Sequence, residues 1–145
     1  MHIRQQIREA AEARLAGLAT TGARVFKHHY ALGEGDYPAL RITTWNEAST
    51  RYGDFECGGL IRTIELLIEA WAAGGDELED VLDAIAAEVE VAIDQDDTLG
   101  ALATDTVLQS TEKAVDVSGD RRVGRLVMTF TVRAQTATGD PATAL

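Results

Sequence analysis

The sequence predicts an α+β domain. It should hold an antiparallel or mixed sheet of four to five strands, two amphipathic helices packed on one face, and a protruding hairpin arm. Three observations carry this. Residues 121–134 alternate apolar and polar side chains with a period of two. Two other stretches, near the N-terminus and in the middle of the chain, carry apolar stripes at helical spacing. The order helix, strands, helix, hairpin leaves two helices that need a surface to cover, and one face of an antiparallel sheet supplies it.

The first helix is expected over residues 2–19. Ile3, Ile7, Ala11, Leu15 and Leu18 fall at steps of four, four, four and three, so they share one stripe, while Arg4, Arg8, Glu9, Glu12 and Arg14 lie largely off it. Thr20, Thr21 and Gly22 end it. Residues 23–30, ARVFKHHY, read as a short strand. The loop Gly33-Glu34-Gly35-Asp36 follows, and Pro38, which lacks an N–H, suits the start or edge of a strand. Beyond it Leu40, Ile42 and Thr44 alternate with Arg41, Thr43 and Trp45. Residues 46–59 read as a polar loop or a long hairpin arm.

The segment LIRTIELLIEAW, residues 60–71, fits both periods. Leu60, Ile64, Leu67, Ile68 and Trp71 suit a helix; Leu60, Ile64, Leu66, Ile68 and Ala70 suit one strand face, with Arg62 as the exception. The flanking glycine pairs and the isoleucines lean toward a strand. A second helix starts near Asp76, with Asp76 as cap and Glu79 reaching back to it. Leu78, Val81, Leu82, Ile85, Val89 and Ile93 then run down one face. Residues 104–116 and 121–134 form a hairpin about Ser118-Gly119-Asp120. In its second arm Leu126, Met128, Phe130, Val132 and Ala134 point one way. Residues 135–145 read as a mobile tail, leaving 1–134 as the single domain.

Charge restricts the functional classes. The net charge is −11, and from Asp76 to Asp97 there are ten acids with no Lys or Arg. A broad nucleic-acid surface needs clustered cations and is not expected. No apolar run approaches the roughly 20 residues of a membrane helix. Basic residues concentrate in the first third and in the last strand, so separated acidic and basic regions could drive head-to-tail self-association, against the plainer reading of a solvated acidic helix face.

The constellations that could carry chemistry each lack a part. His28 and His29 would point to opposite faces of a strand, and His2 is the only other histidine. Asp94-Gln95-Asp96-Asp97 begins like a calcium loop but lacks the glycine at its sixth position and the glutamate at its twelfth. Cys57 has no motif around it for a nucleophile. Gly33-Glu34-Gly35 has no third glycine and carries carboxylates where a phosphate would sit. No catalytic residue, metal or cofactor is expected. Interface anchors are instead expected at Arg51 and Tyr52 in the arm, at Arg121 and Arg122 by the hairpin turn, at Trp45, and at Asp76 and Asp80 on the acidic helix.

The stretch Asp36-Tyr37-Pro38-Ala39-Leu40-Arg41-Ile42 follows an N-terminal helix by about 20 residues. After it come, in order, a polar arm with Glu47 and Tyr52, the segment LIRTIELLIEAW, the acidic helix from Asp76-Glu77-Leu78, and a last strand RLVMTFTVRA. In this pattern, across most of residues 3–134, the chain resembles the tail terminator proteins of long-tailed phages, the lambda-type minor tail protein U family. The resemblance implies that 60–71 is a strand and that the protein is not an enzyme. It implies a homo-oligomer, a ring of about six copies, capping the tail tube protein and meeting a head-side connector in the virion neck, with DNA passing through. Its tail beyond residue 134 departs from the family pattern. Two other readings stand beside it: a different head–tail connector or minor tail protein, and a small metal-dependent hydrolase using His28 or His29.

Overall fold

The computed structural model describes residues 1–54, 58–118 and 121–145, with 117, 118 and 121 described by backbone only. Along the chain run α1 (Ile3–Leu15), β1 (Val25–Lys27), a 3₁₀ turn (Glu34–Asp36), β2 (Ala39–Tyr52), β3 (Gly59–Gly74), α2 (Leu78–Asp94), β4 (Asp105–Ser118) and β5 (Arg121–Ala137). The strands form one sheet in the order β1-β2-β3-β5-β4. β1 pairs with β2 in parallel and every other pair is antiparallel. The sheet is therefore mixed, and the α+β reading stands.

The stretch 60–71 is strand. Leu60 pairs with Arg51 on one side and Thr136 on the other, and Trp71 pairs with Ala39 and Arg125. With a neighbour on both sides, β3 is the central strand. Its face toward the helices buries Ile64, Leu66, Ile68 and Ala70, and β5 adds Leu126, Met128, Phe130, Val132 and Ala134, the row its alternation marked. From the helices come Ile3, Ile7, Ala11 and Leu15, and Leu82, Ile85, Val89 and Ile93. Each Ile, Leu, Val, Met or Phe side chain among them contributes about 1.5–3 kcal/mol by leaving water. Gly124 of β5 lets α2 approach: a Cβ there would lie 2.7 Å from Leu82 Cδ1.

Several boundaries differ from expectation, each for a local reason. α1 ends at Leu15 and not at residue 19, because Gly17 takes a left-handed φ of 88° and the chain closes a small loop, Gly17 N–H to Gly22 O at 2.8 Å and Gly22 N–H to Leu18 O at 2.8 Å. β1 stops at Lys27, where a turn begins that closes from Tyr30 N–H to Lys27 O. His28 and His29 therefore do not alternate along a strand. The arm of 46–59 is the β2–β3 hairpin: β2 continues to Tyr52, and β5 backs its second strand as far as Gly59↔Ala137. Cys57 and the turn residues Gly119 and Asp120 lie outside the described residues.

The start of α2 is also built differently. Its N-cap is Glu77, with no side-chain capping bond. Glu77 Oε1 instead accepts from Gly75 N–H at 3.4 Å, and Glu79 is drawn across to Lys113 Nζ of β4 at 2.7 Å. Of residues 135–145, expected as a mobile tail, 135–137 extend β5 and the rest meets the first turn of α1 and β5. Pro141 O accepts from Ile3 N–H at 2.7 Å, Ala142 O accepts from Gln6 Nε2 at 2.6 Å, and Leu145 N–H donates to Gln135 O.

Candidate functional site

The two sheet faces differ in kind. One is covered by α1 and α2. The other carries no helix, and there the alternate residues of β3 and β5, among them Glu69, Trp71, Arg125 and Val127, are its surface. On that face Glu69 is 5% exposed and is surrounded by nitrogen donors: Arg41 Nε at 3.0 Å, Arg125 Nη1 at 3.6 Å and His28 Nδ1 at 3.7 Å. Arg41 and Arg125 also flank the Trp71 ring, 4.8 and 5.5 Å from its centre. One carboxylate thus gathers two arginines and a histidine from three neighbouring elements. This cluster had no signal in the sequence, because its members come from β2, β3, β5 and the turn after β1.

A β-bulge between Thr44 and Glu47 breaks the alternation of β2. It turns Trp45 outward, where it is 58% exposed and stands edge-on to His28 with ring centres 6.1 Å apart. Nearby, Tyr30 stacks on Phe26 at 4.5 Å, and its carbonyl accepts from Arg41 Nη1. Lys27, His28, His29 and Tyr30 are all exposed. The β1 edge of the sheet is therefore aromatic and basic.

The bulge also returns Glu47 to the helix side, which explains Arg62. Arg62 Nη1 meets Glu47 Oε1 at 2.6 Å, and Arg62 Nε donates to Thr136 Oγ1 at 3.0 Å. Arg4 of α1 reaches the other Glu47 oxygen at 3.4 Å. The exception in the apolar row of β3 is one half of a buried ion pair.

The opposite edge, formed by α2 and β4, is acidic and aliphatic. A groove of about 430 Å³ is lined by Glu90, Val91, Asp94, Asp97, Thr106 and Val107, with Ile93 and Phe130 beneath. Val91 is 59% and Val107 49% exposed. Thr106 is 7% exposed and its Oγ1 has no hydrogen-bond partner. Beyond the groove Asp96 closes its own loop: Oδ1 accepts from Thr98 N–H and Oγ1, and Oδ2 from Gly100 N–H. These bonds, the Thr98 hydroxyl first and Arg14 last, hold its carboxyl below the usual range.

The anchors expected from sequence fall in three places. Arg51 and Tyr52 end β2, opposite Leu60 and Gly59. Arg122 and Asp76 line one hollow at the other end of the 16-residue β3, with Val115 and Glu79, and Asp80 is exposed on the first turn of α2. Arg121 opens β5 opposite Ser118. Trp45 stands at the β1 edge. Among the described residues no group of three or more His, Cys, Asp or Glu is placed to hold a metal ion. His2 Nδ1 caps α1 by accepting from Arg4 N–H, and His28 faces Glu69 and Trp45. No described helix is long and apolar enough to cross a membrane.

No family model matches the chain, and no curated protein matches it. A solved structure does. The fold is similar to that of a chain in the virion of a native gene transfer agent (GTA) particle, with a TM-score of 0.50 and 17% identity, covering 93% of this chain and 92% of that one. At that identity the likeness is one of fold.

Proposed function

We propose that this protein is a virion structural protein of the tail-terminator type, which caps the end of a tail tube as a ring, stops tube growth and presents the surface that joins the head side. The observation that carries the reading is the shared fold, over nearly the whole of both chains, with a component of a virion particle. The sequence pattern around Asp36–Ile42 supports the finer assignment. A ring needs two different surfaces on each subunit, and the chain offers an aromatic, basic edge and an acidic, aliphatic one. Its partners on this reading are further copies of itself, about six to a ring, then the tail tube protein and a head-side connector, and its place is the virion neck. No covalent chemistry is assigned to it.

The test is genetic and visual. Deleting the gene should give overlong, headless tails, and adding the purified protein to growing tubes should arrest them with a ring at one end. Tails of normal length in the deletion would remove the reading. Attachment to the head portal and not to tube ends would move it to a neighbouring connector role.

A further inference from the structure

Seven large apolar side chains are exposed among the described residues, and two of these are the terminal Met1 and Leu145. The other five divide between the two edges of the sheet. Tyr30 and Trp45, 42% and 58% exposed, stand at the β1 edge; Val91, Val107 and Val115 stand along the α2/β4 edge. They are not isolated: Tyr30 stacks on Phe26 and Trp45 stands against His28, while Val91 and Val107 line one groove.

The charges divide in the same way. At the β1 edge Lys27, His28 and His29 are exposed, and Lys27 has no ion pair among the described residues. Of the acids around this edge, Glu69 is buried beside Arg41 and Arg125, Asp36 Oδ2 accepts from Gly33 N–H, and Glu34 is exposed on the turn before β2. At the α2/β4 edge Glu90, Asp94 and Asp97 rim the groove with no ion pair among the described residues, while neighbouring cations are engaged: Lys113 with Glu79, Arg133 with Asp105 and Arg14 with Asp96. Among the described residues, one edge thus presents a lysine outside any ion pair and the other presents carboxylates outside any ion pair. Inside the acidic groove Thr106, more than nine-tenths buried, holds a hydroxyl without a partner.

We propose that copies of this chain associate edge to edge, the Trp45/Tyr30/Lys27 margin of one copy seating on the Val91/Asp94/Val107 groove of the next. The inference rests on the self-assembling reading above and supplies the surfaces it requires. The two patches are unlike and lie on opposite margins, so each copy uses both, toward different neighbours. Such a heterologous contact continues from copy to copy until it closes into a ring. The aromatic side chains are the anchors, and the charges set orientation and make the association sensitive to salt.

The test uses the full chain and two variants, each followed by sedimentation velocity at low and high salt. Trp45→Ser with Lys27→Glu disables the β1 margin. Val91→Ser with Asp94→Lys disables the groove; a lysine at the last residue of α2 suits the negative end of the helix dipole, so this variant should fold. Far-ultraviolet circular dichroism verifies folding of both. The wild type should form closed oligomers that loosen with salt, and each variant alone should be monomeric. Mixed in equal amounts, the variants should form a dimer and nothing larger, because each keeps the patch the other has lost. Wild-type assembly by either variant, a mixture that stays monomeric, or a monomeric wild type at the highest attainable concentration would overturn the pairing. Were both variants still to cap tubes, the pairing would fall while the terminator role stood. Were the mixing result obtained without tube capping, the reverse would hold.

Discussion

Arg62 and Glu47 face each other at 2.6 Å with side chains about one-tenth exposed. Removing Arg62 leaves Glu47 with only the half-exposed Arg4 at 3.4 Å, so Arg62→Met should cost about 2–4 kcal/mol in urea unfolding, and adding Glu47→Met should recover most of that. A loss below about 1 kcal/mol would show that water already reaches the pair. His2 gives a prediction in pH. Burial first, then Arg4, holds its imidazole below the ordinary value, and its Nδ1 must stay unprotonated to accept from Arg4 N–H. A folded pKa below the unfolded one means that His2's contribution is complete above the ordinary imidazole value and is lost as pH falls through the lowered folded one. The His2 signal should therefore titrate below a model peptide in an NMR pH series, with faster amide exchange in the first turn of α1 on its acid side; titration at or above the model peptide would contradict the cap. Neither pair was legible in sequence. Arg62 showed only as an exception in an apolar row, and its explanation lies 15 residues away across a bulge that no alternation pattern announces.

Among the elements, β5 and α2 follow their sequence periods closely, because each packs one face against a single core and nothing intervenes. Leu82 lies under α2 against Gly124, so Leu82→Ala should destabilise by about 2–5 kcal/mol, and Gly124→Val should push α2 off the sheet, read as lost protection of α2 amides. β3 was ambiguous for a physical reason: a central strand needs apolar residues on both faces, and that pattern also satisfies a helix. The capping box at Asp76 failed because Lys113, distant in sequence, offered Glu79 a full charge in place of a backbone N–H. The C-terminal segment offers no apolar periodicity from which its contacts could be read. It meets the first turn of α1 through the carbonyls of Pro141 and Ala142, groups that any sequence supplies. Truncation after residue 137 removes the acceptors of Ile3 N–H and Gln6 Nε2. It should cost about 1–3 kcal/mol and raise exchange in the first turn of α1; unchanged protection there would show that these contacts carry no weight.

For the whole molecule, the layered architecture could be derived from patterning, while the functional surfaces could not. The basic, aromatic edge is assembled from the turn after β1 and the bulge of β2, and the acidic groove from the outer face of α2 and the edge strand β4. In sequence Val91 was a lone aliphatic on an acidic helix face, and Trp45 the end of an alternating run. Only the order of strands sets these residues on opposite margins, and that separation is what makes a ring geometrically available to identical subunits. The most direct measurement is electron microscopy of tail tubes assembled from tube subunits with and without this protein. The account predicts that tubes formed with it stop short and carry a ring of density at one end, with about six-fold symmetry in end-on averages. Tubes of unaltered length with bare ends, under conditions where the protein is folded, would contradict it.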